Sequence, residues 1–207
     1  MVDIDGAENP CGSTNSPVRA FAKKLPRLPN DAFTDSHQNM PEGPEIRLAA
    51  DRIAQALVGR KASRVNFAYD RLKEFETKLC GHRVVEVKTR GKAILTCFEN
   101  DWVIYSHNQL YGRWYVCPAG KPAQTRRQLR LAIENQKYSA MLYSASDIEV
   151  MPRRDLDKHP FLARIGPDLL SDKPGAGLIV ERLTADEFRN RQLAGLLLDQ
   201  KFLAGLG

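Results

Sequence analysis

Residues 85–98 read VEVKTRGKAILTCF, and this stretch decides how the centre of the chain folds. Val85 and Val87 alternate with polar residues, Arg90-Gly91-Lys92 interrupts them, and Ala93 to Phe98 returns as a second apolar run. Apolar residues two apart line one face of a strand, and a glycine between two such runs marks a tight turn. A basic hairpin tip carrying Lys92 is therefore expected. The same period continues on both sides. Val65, Phe67 and Tyr69 alternate before it. After it, Trp102 to Ser106 and Gly112 to Cys117 flank a turn. Leu129, Leu131 and Ile133 then alternate ahead of Asn135-Gln136-Lys137, and Ala140 to Tyr143 returns. Repeated short strands with tight turns between 62 and 144 predict antiparallel sheets arranged as a sandwich.

Further out the period lengthens. Pro44 suits the first turn of a helix, where its missing N–H costs no hydrogen bond. Ile46, Ala49, Ala50, Ile53 and Leu57 follow at helical spacing and Gly59 supplies a stop, so an amphipathic helix is expected over 44–58. Past Ser146 the sequence again reads as helical. Asp155 to Leu162 predicts one short helix, ended by Gly166-Pro167. Asp186 to Leu203 predicts another, with Leu193, Leu196, Leu197 and Phe202 on an apolar stripe that needs a surface to cover it. Residues 1–39 are rich in Pro, Asn, Asp and Ser, lack sustained periodicity and are expected to be mostly disordered. The fold class that follows is α+β: an extension (1–39), an antiparallel β-sandwich domain with an N-terminal helix (40–150), and a helical segment (151–207).

Composition narrows the function classes. No apolar run approaches the roughly 20 residues of a membrane helix, and the N-terminus lacks a signal-peptide core, so no membrane partner is expected. Cys11, Cys80, Cys97 and Cys117 form no CxxC pair, so neither a zinc site nor a disulfide framework is readable. Reduced, mostly buried thiols in a cytoplasmic protein are expected. The net charge is +6. Residues 1–39 hold four basic and five acidic residues, whereas 41–207 hold 27 and 20, so the excess belongs to the folded part. This favours a polyanionic partner, although a generally basic solvated surface gives the same balance.

Met40-Pro41-Glu42-Gly43-Pro44-Glu45-Ile46 resembles the start of the formamidopyrimidine-DNA glycosylase and endonuclease VIII superfamily. TRGKAIL (89–95), YSHNQLYGRW (105–114), LYSASDIE (142–149), HPFL.R.GPD (159–168) and FRNRQLAGLLLDQKFLAGLG (188–207) follow in order, and SASDIE favours the endonuclease VIII branch. The resemblance implies a DNA glycosylase and apurinic/apyrimidinic lyase of base-excision repair. Its partner would be duplex DNA with oxidised pyrimidines or abasic sites, bound by a monomer. It implies Pro41 as Schiff-base nucleophile, Glu42 as general acid, Lys92 as phosphate-binding lysine and Glu45 as a further carboxylate near the site. Gln109-Leu110-Tyr111 matches the wedge that fills the gap left by an extruded base. Residues 151–207 would begin a helix-two-turn-helix domain. The family's zinc belongs to a C-terminal finger absent from this chain, so no cofactor is expected.

The residues suit that chemistry. A secondary amine attacking C1′ of the sugar displaces the base and leaves an iminium ion, which acidifies the C2′ proton for β- and δ-elimination. An N-terminal amine, with a pKa near ~8, keeps an appreciable neutral fraction at neutral pH, whereas a lysine at ~10.4 does not. A carboxyl group one residue away, on Glu42, can move protons. A turn lysine such as Lys92, beside Arg90, is by itself most often a solvated charge, but it is also able to hold a phosphate. Leu110 and Tyr111 suit either packing or insertion into a base stack. Arg126, Arg127 and Arg130 read equally as phosphate contacts or solvated charges, and His107 as a hydrogen-bonded structural residue.

Two departures from the family bear on activity. Thirty-nine residues precede Met40, so the Pro41 nitrogen lies in a peptide bond, and its delocalised lone pair cannot attack C1′. The Schiff base therefore requires that Met40 be the true start or that residues 1–40 be removed, and the composition shift at Met40 favours the former. The chain also stops at Gly207, before the family's second helix and zinc finger. With fewer phosphates neutralised, DNA affinity falls, and an inactive or nearly inactive fragment is expected. Three readings follow: a glycosylase and lyase, a non-catalytic DNA-binding remnant, or a damaged product without function.

Overall fold

Glu42 is extended (φ −91°, ψ 177°), and Gly43 and Pro44 then open helix α1, Gly43–Leu57. The computed structural model describes residues 41–206; the disorder expected of residues 1–39 lies outside them. Ile46, Ala50, Ile53, Ala56 and Leu57 bury one side of α1. Gly59 then turns the chain at φ +79°, a left-handed conformation that costs glycine little.

Eight strands follow: β1 Arg64–Phe67, β2 Val84–Arg90, β3 Ala93–Phe98, β4 Trp102–His107, β5 Arg113–Pro118, β6 Leu129–Glu134, β7 Tyr138–Tyr143 and β8 Asp147–Pro152. They form two antiparallel four-stranded sheets, ordered β1-β6-β7-β5 and β2-β3-β4-β8. Phe67, Leu131, Ile133 and Leu142 of the first share one core with Ile94, Phe98, Ile104 and Ile148 of the second, joined by the apolar side of α1. This is the expected α+β sandwich with an N-terminal helix. Each fully buried Ile, Leu or Phe there contributes about 1.5–3 kcal/mol. The unbroken apolar run of β3 has a cause. Ile94 and Phe98 face the sandwich, while Ala93, Leu95 and Cys97 face outward and are covered by Leu156, Phe161 and Leu162.

The structure corrects several local expectations. Val85 and Val87 do not share a face, because a register shift between Val84 and Glu86 buries Val84 and leaves Val85 exposed. A second shift exposes Leu129, while Leu131 and Ile133 stay buried. The stretch read as short strands and tight turns also contains a 3₁₀ turn, Asp70–Leu72, and helix α2, Glu74–Leu79, too short to declare a helical period. The chain past Ser146 does not turn helical at once: β8 forms there because its alternating Ile148 and Val150 pack on the sandwich core while β4 pairs its backbone. The single helix expected over 155–162 is two 3₁₀ segments, Arg153–Lys158 and Leu162–Arg164, broken at His159-Pro160. The helix expected over 186–203 is only α4, Leu193–Leu198. Past Asp199 the chain closes in a tighter turn, with Phe202 N–H on Asp199 O (2.9 Å), while Gly166 N–H binds Gln200 O (2.9 Å) and Arg182 donates to Phe202 O (2.8 Å) and Lys201 O (2.6 Å). Leu196 and Phe202 are buried, but Leu193 is exposed. Helix α3, Ala176–Thr184, lies in a stretch to which no element was assigned. Of the described cysteines only Cys97 is buried; Cys80 is exposed and Cys117 half-buried, contrary to the expectation of mostly buried thiols. No described helix is long and apolar enough to cross a membrane.

Residues 41–206 lie within one compact unit, and its C-terminal part grips the sandwich at two places. Asp168, 1% exposed, accepts hydrogen bonds from the N–H groups of Gly91 (2.8 Å), Leu170 (2.8 Å) and Ser171 (3.1 Å). Gln200 Oε1 accepts from the Lys92 N–H at 3.1 Å. Gly205, at φ +86°, approaches Gly43 so closely that a Cβ on Gly43 would fall on the Gly205 carbonyl. The β2–β3 hairpin tip and the start of α1 are thus both set by residues 165–205.

Two stability predictions follow from this grip. Replacing glycine by alanine in a helix ordinarily gains roughly 1 kcal/mol. Gly43→Ala is instead expected to destabilise by about 1–3 kcal/mol, the usual cost of overpacking, as read by urea unfolding. Asp168→Ala leaves the buried Gly91 N–H and the part-buried Leu170 and Ser171 N–H groups without their acceptor and is expected to cost more than about 2 kcal/mol in the same assay. A change below ~0.5 kcal/mol in either variant would contradict the grip.

Candidate active site

The start of α1 is built by its own side chains. Glu45, in the first turn, accepts the Glu42 N–H on Oε2 at 3.1 Å, and the Glu42 carbonyl receives the Ile46 N–H at 3.0 Å. This half of a capping box fixes the backbone at Glu42. Glu45 therefore acts here through Glu42's backbone. Pro41 precedes it, half-buried, and lines a small crevice with Ile46, Lys92, His107, Asn108 and Gln109.

Lys92 is not a solvated turn lysine. Its side chain is 11% exposed, and its Nζ lies 2.6 Å from Glu42 Oε2. A buried ammonium loses hydration and needs an opposite charge, which Glu42 supplies. The tip that carries it turns at Gly91 (φ +57°), where a Cβ would strike the Gln200 side chain. Arg90 leans away from the crevice onto Asp172, at 3.2 Å.

His107 ends β4. Its Nδ1 accepts the Gln109 N–H at 3.2 Å, and its ring meets Phe161 edge-on at 5.2 Å. Burial holds its pKa below the usual histidine value, and the Lys92 charge adds to this against the opposing pull of Asp147. The neutral ring, with Nδ1 accepting, carries its hydrogen on Nε2. The loop after it is a tight turn closed by Gly112 N–H to Asn108 O at 2.7 Å. Gln109 sits in the left-handed region (φ +52°), and Ser146 Oγ donates to its Oε1 at 2.6 Å. The turn presents Leu110 (55% exposed) and Tyr111 (65% exposed) to solvent. Arg127 Nη1 supports it from below by donating to Tyr111 O at 2.7 Å. Arg126 is exposed, and Arg130 donates to Gln128 Oε1 at 2.6 Å and lies over the Tyr69 ring.

The fold thus brings together Pro41, Glu42, Lys92 and Gln109, with Glu45 behind Glu42 and the Leu110–Tyr111 tip next to them. Arg90 pairs with Asp172 instead, Arg127 holds the backbone of the tip at Tyr111, and Arg126 is exposed. Sequence reasoning missed Asn108, Asp168 and Gln200. All three stand inside motifs quoted for the resemblance, but nothing in the sequence tells that their partners are backbone groups or the crevice itself. Among the described residues no group of three His, Cys, Asp or Glu side chains is placed to hold a metal.

Comparison with known proteins agrees with this geometry. Residues 40–144 match the formamidopyrimidine-DNA glycosylase N-terminal domain. Endonuclease 8 of Pectobacterium atrosepticum is 54% identical over 168 residues, 81% of this chain and 64% of the relative. Endonuclease 8 of Escherichia coli O1:K1 is 52% identical over the same shares. The chain therefore spans 64% of the length of these relatives. Lactococcus lactis formamidopyrimidine-DNA glycosylase, solved non-covalently bound to DNA containing an abasic site, superposes with a TM-score of 0.65 at 19% identity, covering 81% of this chain and 64% of that one. The helix-led sandwich, the crevice at Pro41 and the sequence likeness agree: the chain belongs to the formamidopyrimidine-DNA glycosylase and endonuclease VIII family.

Proposed function

We propose that this chain carries the N-terminal part of a DNA glycosylase and apurinic/apyrimidinic lyase acting on oxidised pyrimidines in duplex DNA. The observation that carries the reading is the crevice lined by Pro41 and Lys92, with the largely buried Lys92 ammonium 2.6 Å from the Glu42 carboxylate and the exposed Leu110–Tyr111 tip next to Gln109 of the same crevice. The Endonuclease 8 relatives support it, as does the L. lactis enzyme, which has also been solved with DNA containing an oxidised pyrimidine. The excess of basic residues in 41–207 suits a polyanion.

In a chain beginning at Pro41, the secondary amine attacks C1′ and the C1′–N bond to the base breaks. The base leaves with the bonding pair and takes up a proton, and the amine nitrogen loses its remaining hydrogen as the iminium forms. Glu42 is placed to donate a proton to the sugar ring oxygen, opening the ring and exposing C1′ as the iminium carbon. Loss of the C2′ proton then expels the 3′ phosphate, and a second elimination expels the 5′ phosphate. Lys92 holds Glu42 at 2.6 Å and supplies a positive charge for a phosphate next to the reacting sugar. Leu110 and Tyr111 fill the space of the extruded nucleotide. The zinc of the family's C-terminal finger takes no part in these steps.

A second reading, a non-catalytic DNA-binding protein, is favoured by one observation. In the full chain the Pro41 nitrogen is acylated by Met40 and has no nucleophilic lone pair. The two readings separate in one assay. A chain expressed from Met40, whose initiator methionine is removed, is expected to be trapped by borohydride on a duplex containing an abasic site or an oxidised pyrimidine, at low salt and high protein concentration that offset the weaker DNA binding expected of a shortened chain; the 207-residue chain is not. Binding without trapping by both forms would establish the second reading.

Glu42→Gln in the chain beginning at Pro41 removes the proton donor but keeps the shape. Trapping on oxidised-pyrimidine duplex is expected to slow by roughly 10²–10⁴-fold. A rate within a few-fold of the parent would remove Glu42 from the proton transfer.

A further inference from the structure

Asn108 is 6% exposed, and its Oδ1 finds no hydrogen-bond partner among the described residues. Buried amide oxygens are ordinarily paired, so an orphan needs a cause. Asn108 lines the same crevice as Pro41, and its backbone cannot drift away, because its carbonyl closes the turn with Gly112 N–H at 2.7 Å. In this chain the Pro41 nitrogen is a tertiary amide and has no hydrogen to give. Freed from Met40, the same nitrogen carries one N–H when neutral and two when protonated.

We propose that Asn108 is a positioning residue for the nucleophile: its Oδ1 accepts an N–H of the Pro41 amine and turns the nitrogen lone pair toward the sugar. This rests on the reading of Pro41 as an amine nucleophile. The other groups around Pro41 do not compete for that role. Glu42 is engaged by Lys92, and Glu45 by the Glu42 N–H. His107 is held neutral with its Nδ1 on Gln109 N–H, and Asp147 beside it also reaches Tyr105 Oη at 3.4 Å. The Asp168 oxygens are on the N–H groups of Gly91, Leu170 and Ser171. Gln109 Oε1 accepts Ser146 Oγ, so among the described side chains lining the crevice Asn108 Oδ1 is the buried, uncharged acceptor without a partner. It is uncharged, so it orients the amine without holding it protonated as a carboxylate would.

The test titrates the Pro41 amine by NMR in proline-labelled chain beginning at Pro41, comparing the parent with Asn108→Asp and Asn108→Leu. Asp keeps the shape and adds a charge, so the amine pKa is expected to rise by about one unit or more. Leu removes the acceptor and lowers it. The acidic limb of the pH profile of borohydride trapping, where protonation of the amine removes the nucleophile, is expected to move with the titration in each variant. A purely structural asparagine would leave the Asn108→Leu midpoint with the parent's even though the added Asp charge moves its own, and coincident titrations in parent and Asn108→Leu overturn the proposal. Asn108→Ala, which also removes the acceptor without adding charge, serves in the same way if the Leu variant does not fold. The titration needs no DNA, so the two claims fail separately. A shifted midpoint without trapping keeps the Asn108 contact and removes the lyase reading. Trapping with unshifted midpoints does the reverse.

Discussion

The carboxylate of Asp168 is the point on which the site depends. It is buried, and it spends both oxygens on backbone N–H groups, one of them on Gly91 at the hairpin tip and two in its own loop. A buried charge survives only where hydrogen bonds replace its hydration, so the loop and the tip are held in one arrangement by the need to satisfy it. The adjacent residue is Lys92. Its N–H is held by Gln200 and its ammonium by Glu42. Three segments far apart in sequence, the start of α1, the β2–β3 turn and residues 165–205, are thereby locked into one small volume. The close approach of Gly43 and Gly205 completes the lock.

This arrangement explains why the chemistry sits where it does. The sandwich supplies a stiff frame, and the reactive groups stand at its rim, where strands end and turns begin. Glu42 ends an extended segment, Lys92 occupies a turn and Asn108 opens a tight loop. Rim positions are free of sheet hydrogen bonding, so their side chains can converge. Burial then tunes them. Lys92 keeps its charge through Glu42, whereas His107, with no hydrogen-bonded anion, is held neutral.

Much of the fold was legible because period-two and period-3.6 patterns report which face is buried. Helix α1 and the strands from β1 to β7 appear where Ile46, Val65, Phe67, Leu131 and Leu142 predict them. The failures share a cause. The shift at Val84, the brief helix α2, strand β8 and the shortened α4 are all decided by distant partners rather than by local pattern. Arg182 binds carbonyls 19 and 20 residues away, just past the end of α4, a contact that no periodicity announces. The same holds for the site. Pro41, Glu42, Lys92 and Gln109 were visible through resemblance, and they converge. Asp168, Gln200 and Asn108 were not, because their roles lie in contacts with backbone groups and with a crevice.

The central claim is that the Pro41 nitrogen, and not the lysine beside it, is the group that attacks the sugar. Peptide mapping by mass spectrometry of the borohydride-reduced adduct between the chain beginning at Pro41 and an abasic-site duplex tests it directly. The account predicts the deoxyribose remnant on the peptide that begins with Pro41. A remnant on the peptide containing Lys92 would contradict it.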